Sequence, residues 1–277
     1  MFEHFYIIGA LVTTVLLQVY IFLCCEEEAG SSLKRDSILA LLLFDIHVFR
    51  RYLETNYVMH YTEHARMHVL AYVFGLSYYV AAPLTLAPAF LLSMPTLEGV
   101  YTEFKSGNSL ASVDARIAAA ISAPHPERAR LYAGLALYVL ASLLQLSSHR
   151  RLGRLGREAE VRFHQSGVQQ QLFPGGPGGA KGGKAPPMYI GPAPEPTDLY
   201  VPPTGGLFER VSCPHYLAEI LIYVALAVVL RGTEGSLLIL GWVVLNLLLA
   251  AAANHKWYLA TFPDYPKGRK ALIPGIF

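Results

Sequence analysis

Residues 236–277 read SLLILGWVVLNLLLAAAANHKWYLATFPDYPKGRKALIPGIF, and two incompatible solvents meet inside that stretch. From 236 to 253 no side chain is charged, which suits a helix crossing a hydrocarbon layer that needs roughly 20 apolar residues. Asn254, His255 and Lys256 then end the run, and Trp257 and Tyr258 follow as residues of the membrane–water boundary. The remaining segment mixes aromatic, charged and proline residues. An unpartnered tail is poor in large apolar side chains because it buries nothing. This one carries enough of them to fold back onto the protein.

Composition extends that reading to the whole chain. Of 277 residues, 53% are hydrophobic and 15% charged, with a mean hydropathy of +0.37, too apolar and too sparsely charged for an ordinary soluble domain. The net charge of +2 gives no field suited to nucleic acid. Cys24, Cys25 and Cys213 have neither metal-site nor disulfide spacing, and read as free thiols. The first apolar run lacks a basic leading region and ends at CCEEE without a small-residue cleavage site, so it reads as an anchor.

Segments 5–25, 68–92, 131–148 and 236–253 are clear spans, while 216–230 carries Glu219 and the short 37–49 carries Asp45 and His47. The expectation is an all-α integral membrane protein of about six transmembrane helices. Residues 1–166 hold four spans and a basic loop, 167–198 form a Gly/Pro-rich insertion unsuited to packing, and 199–277 form a C-terminal unit with two spans and a tail. Arg and Lys concentrate in 50–66, 149–158 and the C-terminus, which the positive-inside rule places with both termini in the cytosol.

Polar groups within or beside the spans carry the chemistry. His47, Arg51 and Glu54 are spaced i, i+4, i+7 and share a face if that helix continues past the membrane boundary. An interfacial ion pair capping the helix accounts for Arg51 and Glu54 equally well. Pro214 starts a helix on which Tyr216 and Glu219 lie one turn apart, and a carboxylate at that depth must face a protein cavity and meet a donor. In the tail Asp264, Tyr265, Lys267, Arg269 and Lys270 suit a phosphate-bearing ligand or an anionic headgroup. The chain has no Rossmann glycine fingerprint and no P-loop, so any nucleotide is held by membrane helices and loops.

The segments YVPPTGGLFERVSCPHYLAEILIY (200–223) and HKWYLATFPDYPKGRKALIPGIF (255–277) resemble the C-terminal domain of the steroid 5-alpha reductases. HFYIIGALV (4–12), HVFRRYLETNYVMHYTEHARMH (47–68) and CPHYLAEILIY (213–223) bring the chain nearest to the polyprenol reductase branch. The resemblance implies an NADPH-dependent reductase with a cytosolic-facing cofactor site in the endoplasmic reticulum membrane. Its substrate would be a long-chain isoprenoid whose α-unit is saturated to supply dolichol for protein N-glycosylation. It implies His255 and Tyr216 as proton or hydrogen-bond donors, while the shared face of the second span offers Glu54 as a further catalytic group and His47 and Arg51 as substrate contacts. Tyr200, His215, Glu219, Tyr258, Asp264, Tyr265 and Arg269 match positions of the family's cofactor-binding region, and Arg154 and Arg157 would meet cofactor phosphates. His215 stands where most members have Asn, Gly275 where they have Phe, and the sequence begins where members of the branch begin their second spanning helix.

Other classes remain open on sequence: another enone or enoyl reductase of the family, an isoprenylcysteine carboxyl methyltransferase using S-adenosylmethionine, or a non-catalytic membrane scaffold. A scaffold leaves Glu219 and the polar helix ends without purpose. For the topology, a tag at either terminus and a protease site inserted between 167 and 195 should all be reached from the cytosolic side of sealed microsomes; protection of either terminus overturns the arrangement.

Overall fold

The computed structural model describes residues 3–23, 32–60, 69–87, 128–165 and 201–277, with the side chains of 32, 71 and 162–165 excepted. The insertion, Cys24, Cys25 and Tyr200 lie outside the described residues. Within them the chain forms six α-helices: α1 (Glu3–Leu23), α2 (Ser32–Leu53), α3 (Val69–Thr85), α4 (Arg128–Gln165), α5 (Pro214–Val229) and α6 (Glu234–Thr261). This is the all-α architecture expected. Three helical segments, Glu3–Ile21, Arg128–Val161 and Glu234–Thr261, are long and apolar enough to cross a membrane, and Pro214–Val229 is a shorter apolar helix. The other two expected spans fall short of that measure among the described residues: α3 is 17 residues long, and α2 carries Asp36, Asp45, Arg50 and Arg51.

Side-chain pairings set the helix directions. Tyr6, Gly9 and Thr14 of α1 meet Arg51, Val48 and Asp45 of α2 in that order, so the two run antiparallel. His4 and Gly9 meet Tyr72 and Tyr79 of α3, so α1 and α3 run parallel. In α4, Arg130 reaches Asp36 near the start of α2 and Gln145 reaches Arg50 near its end, so these two are parallel also. α5 starts beside the end of α2 and finishes beside its start. The helices therefore alternate, and the start of α1, the ends of α2, α4 and α6, and the start of α5 gather at one end of the bundle.

The shared core is apolar: Tyr20, Ile21, Leu41, Phe44, Ile222, Leu226 and Leu230 are almost fully buried. The outer surface is apolar as well, with Leu11, Leu140, Leu238 and Leu249 each at least 64% exposed. Burying aliphatic residues on both sides is what a bundle surrounded by hydrocarbon requires, because lipid penalises no exposed Leu. At the far end, the buried carboxylate of Asp36 accepts from Arg130 at 2.7 Å and from Arg231 at 2.9 Å, joining α2, α4 and the α5–α6 turn.

Two local features shape the near end. α2 runs into one turn of π-helix, Glu54–Val58, where the Met59 amide donates to the Glu54 carbonyl at 2.7 Å. Residues 149–158, expected as a loop, instead continue α4 as far as Gln165. The two segments touch at Gly153, where a Cβ would lie 1.9 Å from the Val58 carbonyl oxygen. Neither backbone can yield without unwinding a helix. Gly153→Ala should therefore cost about 1–3 kcal/mol of stability by overpacking, read as a lower thermal midpoint of the detergent-solubilised protein; an unchanged midpoint shows that the contact is slack.

Candidate functional site

The periodicity of α5 collects the first group of site residues. His215, Glu219 and Tyr223 recur every four residues and share a face toward α2 and α4. Glu219 Oε1 lies 3.1 Å from His47 Nε2 on α2, and Glu219 Oε2 accepts from Gln145 Nε2 on α4. Gln145 Oε1 in turn accepts from Arg50 at 2.5 Å, and Arg50 also donates to Glu54. Arg51 donates to Glu54 at 2.7 Å and to the Tyr6 hydroxyl at 2.9 Å, its guanidinium lying over the Tyr6 ring. Nδ1 of His149 is 2.6 Å from Glu54 Oε2 and 2.7 Å from Arg51. These contacts join α1, α2, α4 and α5 by a single hydrogen-bonded network, with His47, Glu54, Gln145 and His149 each buried. Tyr78 and Tyr223 extend the polar interior, their hydroxyls 2.5 Å apart.

The tail builds the second group. Its backbone runs parallel to residues 210–213: Lys270 N donates to Arg210 O at 3.0 Å, Ser212 N to Lys270 O at 2.8 Å and Cys213 N to Ala271 O at 3.1 Å. This tie sets Tyr265 against α6, where its ring stacks on Tyr258 with centroids 5.1 Å apart. The Arg269 guanidinium covers the Tyr265 ring and bonds the Pro203 carbonyl at 2.9 Å and Glu209 at 3.4 Å. Ser212 Oγ lies 2.6 Å from His255 Nδ1 and 2.7 Å from the Tyr265 hydroxyl. The fold-back anticipated for the tail is thus present, and it leaves Tyr265 and Arg269 buried.

Tyr216 and His215 sit between the groups. The Tyr216 hydroxyl accepts from Asn254 at 3.4 Å, one residue before His255. Its ring lies 4.2 Å from that of His215, which lies 5.8 Å from that of His149. Nδ1 of His215 is buried and has no hydrogen-bond partner among the described residues. A buried polar atom in that state is costly unless a ligand satisfies it. Cys213, at the start of α5, is a free buried thiol whose surroundings push it up to about 11 through burial, well away from nucleophilic use at neutral pH.

The structure therefore gathers His47, Arg51, Glu54, His215, Tyr216, Glu219, His255, Tyr258, Tyr265 and Arg269 at one end of the bundle. Asp264 is exposed on the tail. Arg154 is exposed, 3.8 Å from Glu158 on the same helix, and Arg157 donates to the Val58 carbonyl at 3.2 Å. Sequence reading missed Tyr6, Arg50, Gln145, His149 and Ser212. A signal existed for two of them: Gln145 and His149 lie i, i+4 where an apolar run ends, placing both on one helix face.

Burial alone would raise the Glu54 carboxyl, but the hydrogen bond with His149 and the guanidiniums of Arg50 and Arg51 outweigh it and hold the group down to about 2. A carboxyl lowered on folding stabilises the protein above its ordinary value of 4.5 and loses that contribution as pH falls toward 2. Glu54→Ala should cost roughly 3–5 kcal/mol by leaving two largely buried guanidiniums without a counter-charge, seen in thermal unfolding at neutral pH. A midpoint equal to wild type means that the pair adds nothing.

Residues 194–277 match the family described as 3-oxo-5-alpha-steroid 4-dehydrogenase. Over 291 residues the chain is 33% identical to polyprenal reductase 1 of Arabidopsis thaliana, an alignment covering all of this chain and 80% of that protein. It is 32% identical over 312 residues to polyprenal reductase 1 of Oryza sativa subsp. indica, covering 99% of this chain and 78% of the other. Polyprenal reductase of Xenopus laevis is 32% identical over 261 residues, covering 92% of this chain and 64% of that protein.

Proposed function

Because the chain belongs to the steroid 5-alpha reductase family, among the relatives named polyprenal reductase, we propose that it saturates the α-isoprene unit of a polyprenal with NADPH. The product would be the dolichal that leads to dolichol for protein N-glycosylation, formed in the endoplasmic reticulum membrane. One observation carries the reading beyond the relationship: a hydrogen-bonded run joins Tyr265 through Ser212 to His255, and the preceding residue, Asn254, donates to Tyr216, all at the polar end of an apolar bundle.

The donor set fits the cofactor. His215 Nδ1 is a buried polar atom without a partner among the described residues, Glu219 offers a carboxylate close by, and Tyr258, Tyr265 and Arg269 form a stacked aromatic and cationic group. These residues would hold NADPH, with Asp264, Arg154 and Arg157 at its margins, and Tyr200 is proposed as a further contact from the family resemblance alone. When bound, it supplies a hydride to the β-carbon of the conjugated aldehyde.

The protein's own part is to manage charge and a proton. Negative charge grows on the aldehyde oxygen during reduction, so a donor held there lowers the barrier. When Tyr265 donates to Ser212 and Ser212 turns its proton to Nδ1 at 2.6 Å in preference to the Lys270 carbonyl at 3.3 Å, His255 carries its proton on Nε2, available to the substrate. Tyr216, steadied by Asn254, is the second donor at that place. The α-carbon then takes a proton from one of the two. Glu54 holds Arg51 in place, and Arg51 with His47 meets the polar head of the isoprenoid.

Purified protein in detergent should convert polyprenal to dolichal only when NADPH is added, resolved by chromatography; thermal stabilisation by S-adenosylmethionine with none by NADPH would favour a methyltransferase instead. His255→Ala should leave folding and NADPH binding intact yet lower turnover on the order of a hundredfold, the usual loss for a general acid or oxyanion donor. Reduced abundance with near-normal turnover of the surviving protein assigns His255 to structure alone. Substituting Tyr265 or Arg269 should chiefly raise the NADPH requirement.

A further inference from the structure

Gln145 occupies a position that none of the roles above uses. It is 2% exposed, on the face of α4 turned toward both α2 and α5. Its amide faces two groups of opposite demand: Nε2 donates to the Glu219 carboxylate and Oε1 accepts from the Arg50 guanidinium, which donates in turn to Glu54. A carboxamide is the one neutral side-chain group with both a fixed donor and a fixed acceptor end. Reversal of the amide would set an NH2 against a guanidinium and an oxygen against a carboxylate. Its orientation is therefore locked by its neighbours, and it locks theirs.

We propose that Gln145 is a positioning residue for the reduction, its amide fixing the Glu219 carboxylate toward the cofactor while holding Arg50 on Glu54. The inference rests on the reading of Glu219 as a residue that holds NADPH. Gln145 touches neither cofactor nor substrate; it acts through Glu219, whose second oxygen is shared with His47. Without the amide, Glu219 keeps only His47 as a described side-chain donor, and Arg50 loses an acceptor inside the bundle.

Two substitutions separate this role from simple packing. Gln145→Leu keeps bulk but supplies no polar atom. Gln145→Glu supplies a group that, when protonated, mimics the amide: its O–H faces Glu219 and its carbonyl oxygen faces Arg50. When ionised it sets a second carboxylate against Glu219. The groups around the new carboxyl are His47, Arg50 and Arg51 from α2, Glu54 from the π-turn, His215, Glu219 and Tyr223 from α5, and Tyr138 and His149 on α4 itself.

The test is steady-state reduction of polyprenal by wild type and both variants between pH 5 and 8, with thermal midpoints measured in the same detergent. Gln145→Leu should raise the KM for NADPH about tenfold at every pH, with a smaller loss in kcat, as expected for a buried charged group deprived of one donor. Gln145→Glu should approach the wild-type KM at the acid end and depart from it as pH rises, an ionisation that wild type lacks. A packing role moves the midpoints of both variants and leaves the pH dependence of KM unchanged. The proposal fails if Gln145→Leu keeps its NADPH KM within about twofold, or if the Glu variant follows the wild-type pH profile. Should the Leu variant not survive purification, the Glu variant's pH profile decides alone. If wild type shows neither NADPH-dependent turnover nor thermal stabilisation by NADPH, the functional reading falls and this proposal with it.

Discussion

A carboxylate placed between apolar helices must find donors, and Glu219 finds them on two other helices. Its oxygens meet His47 of α2 and Gln145 of α4, and through Gln145 and Arg50 the same network reaches Glu54, Arg51 and the Tyr6 hydroxyl of α1. Each of those groups would be costly alone at this depth. Together they fix which faces of four helices look inward at one end of the bundle. Apolar packing among Leu, Ile and Phe tolerates sliding by a residue or a small rotation; a network of directional bonds does not.

The opposite end obeys the same rule with fewer parts. Asp36 is buried between Arg130 and Arg231, so the α5–α6 turn is tied to α2 and α4 as firmly as the site end is. Arg231 adopts a left-handed conformation, φ 58°, and Gly232 follows at φ 67°. An arginine accepts that strain where its guanidinium meets a buried carboxylate. Two polar anchors at the ends of an otherwise apolar bundle set its length and the order of its helices.

Much of this was legible from residue order. The apolar runs, the break at Asn254 and His255, and the aromatic tail placed the helices and the fold-back, because hydrocarbon length and boundary preferences act locally. His47, Arg51 and Glu54 share a face by spacing alone, and the structure joins Arg51 to Glu54 directly, while Arg50, 3.2 Å from His47, links His47 to Glu54. The partners on α4 were not legible. Gln145 and His149 lie 74 to 98 residues from the groups that they meet, and residues 149–158 read as a basic loop because Arg content resembles a boundary signal. Ser212 was hidden for a related reason: its importance comes from a parallel tie between 210–213 and the tail, which no local pattern announces.

That tie has a consequence for the order in which the molecule is made. Residues 210–213 enter with α5, but their partners at 265–272 are synthesised only after α6. A nascent chain can therefore insert and pair its apolar helices while Ser212 and His255 still lack Tyr265, and Tyr258 still lacks its stacking ring. Domains fold as their sequence emerges, and here the step that completes the polar end waits for the segment that follows α6. A chain cut short before Tyr265 would keep every helix and have no finished site, so membrane insertion and catalytic competence are acquired at separate moments in its biosynthesis.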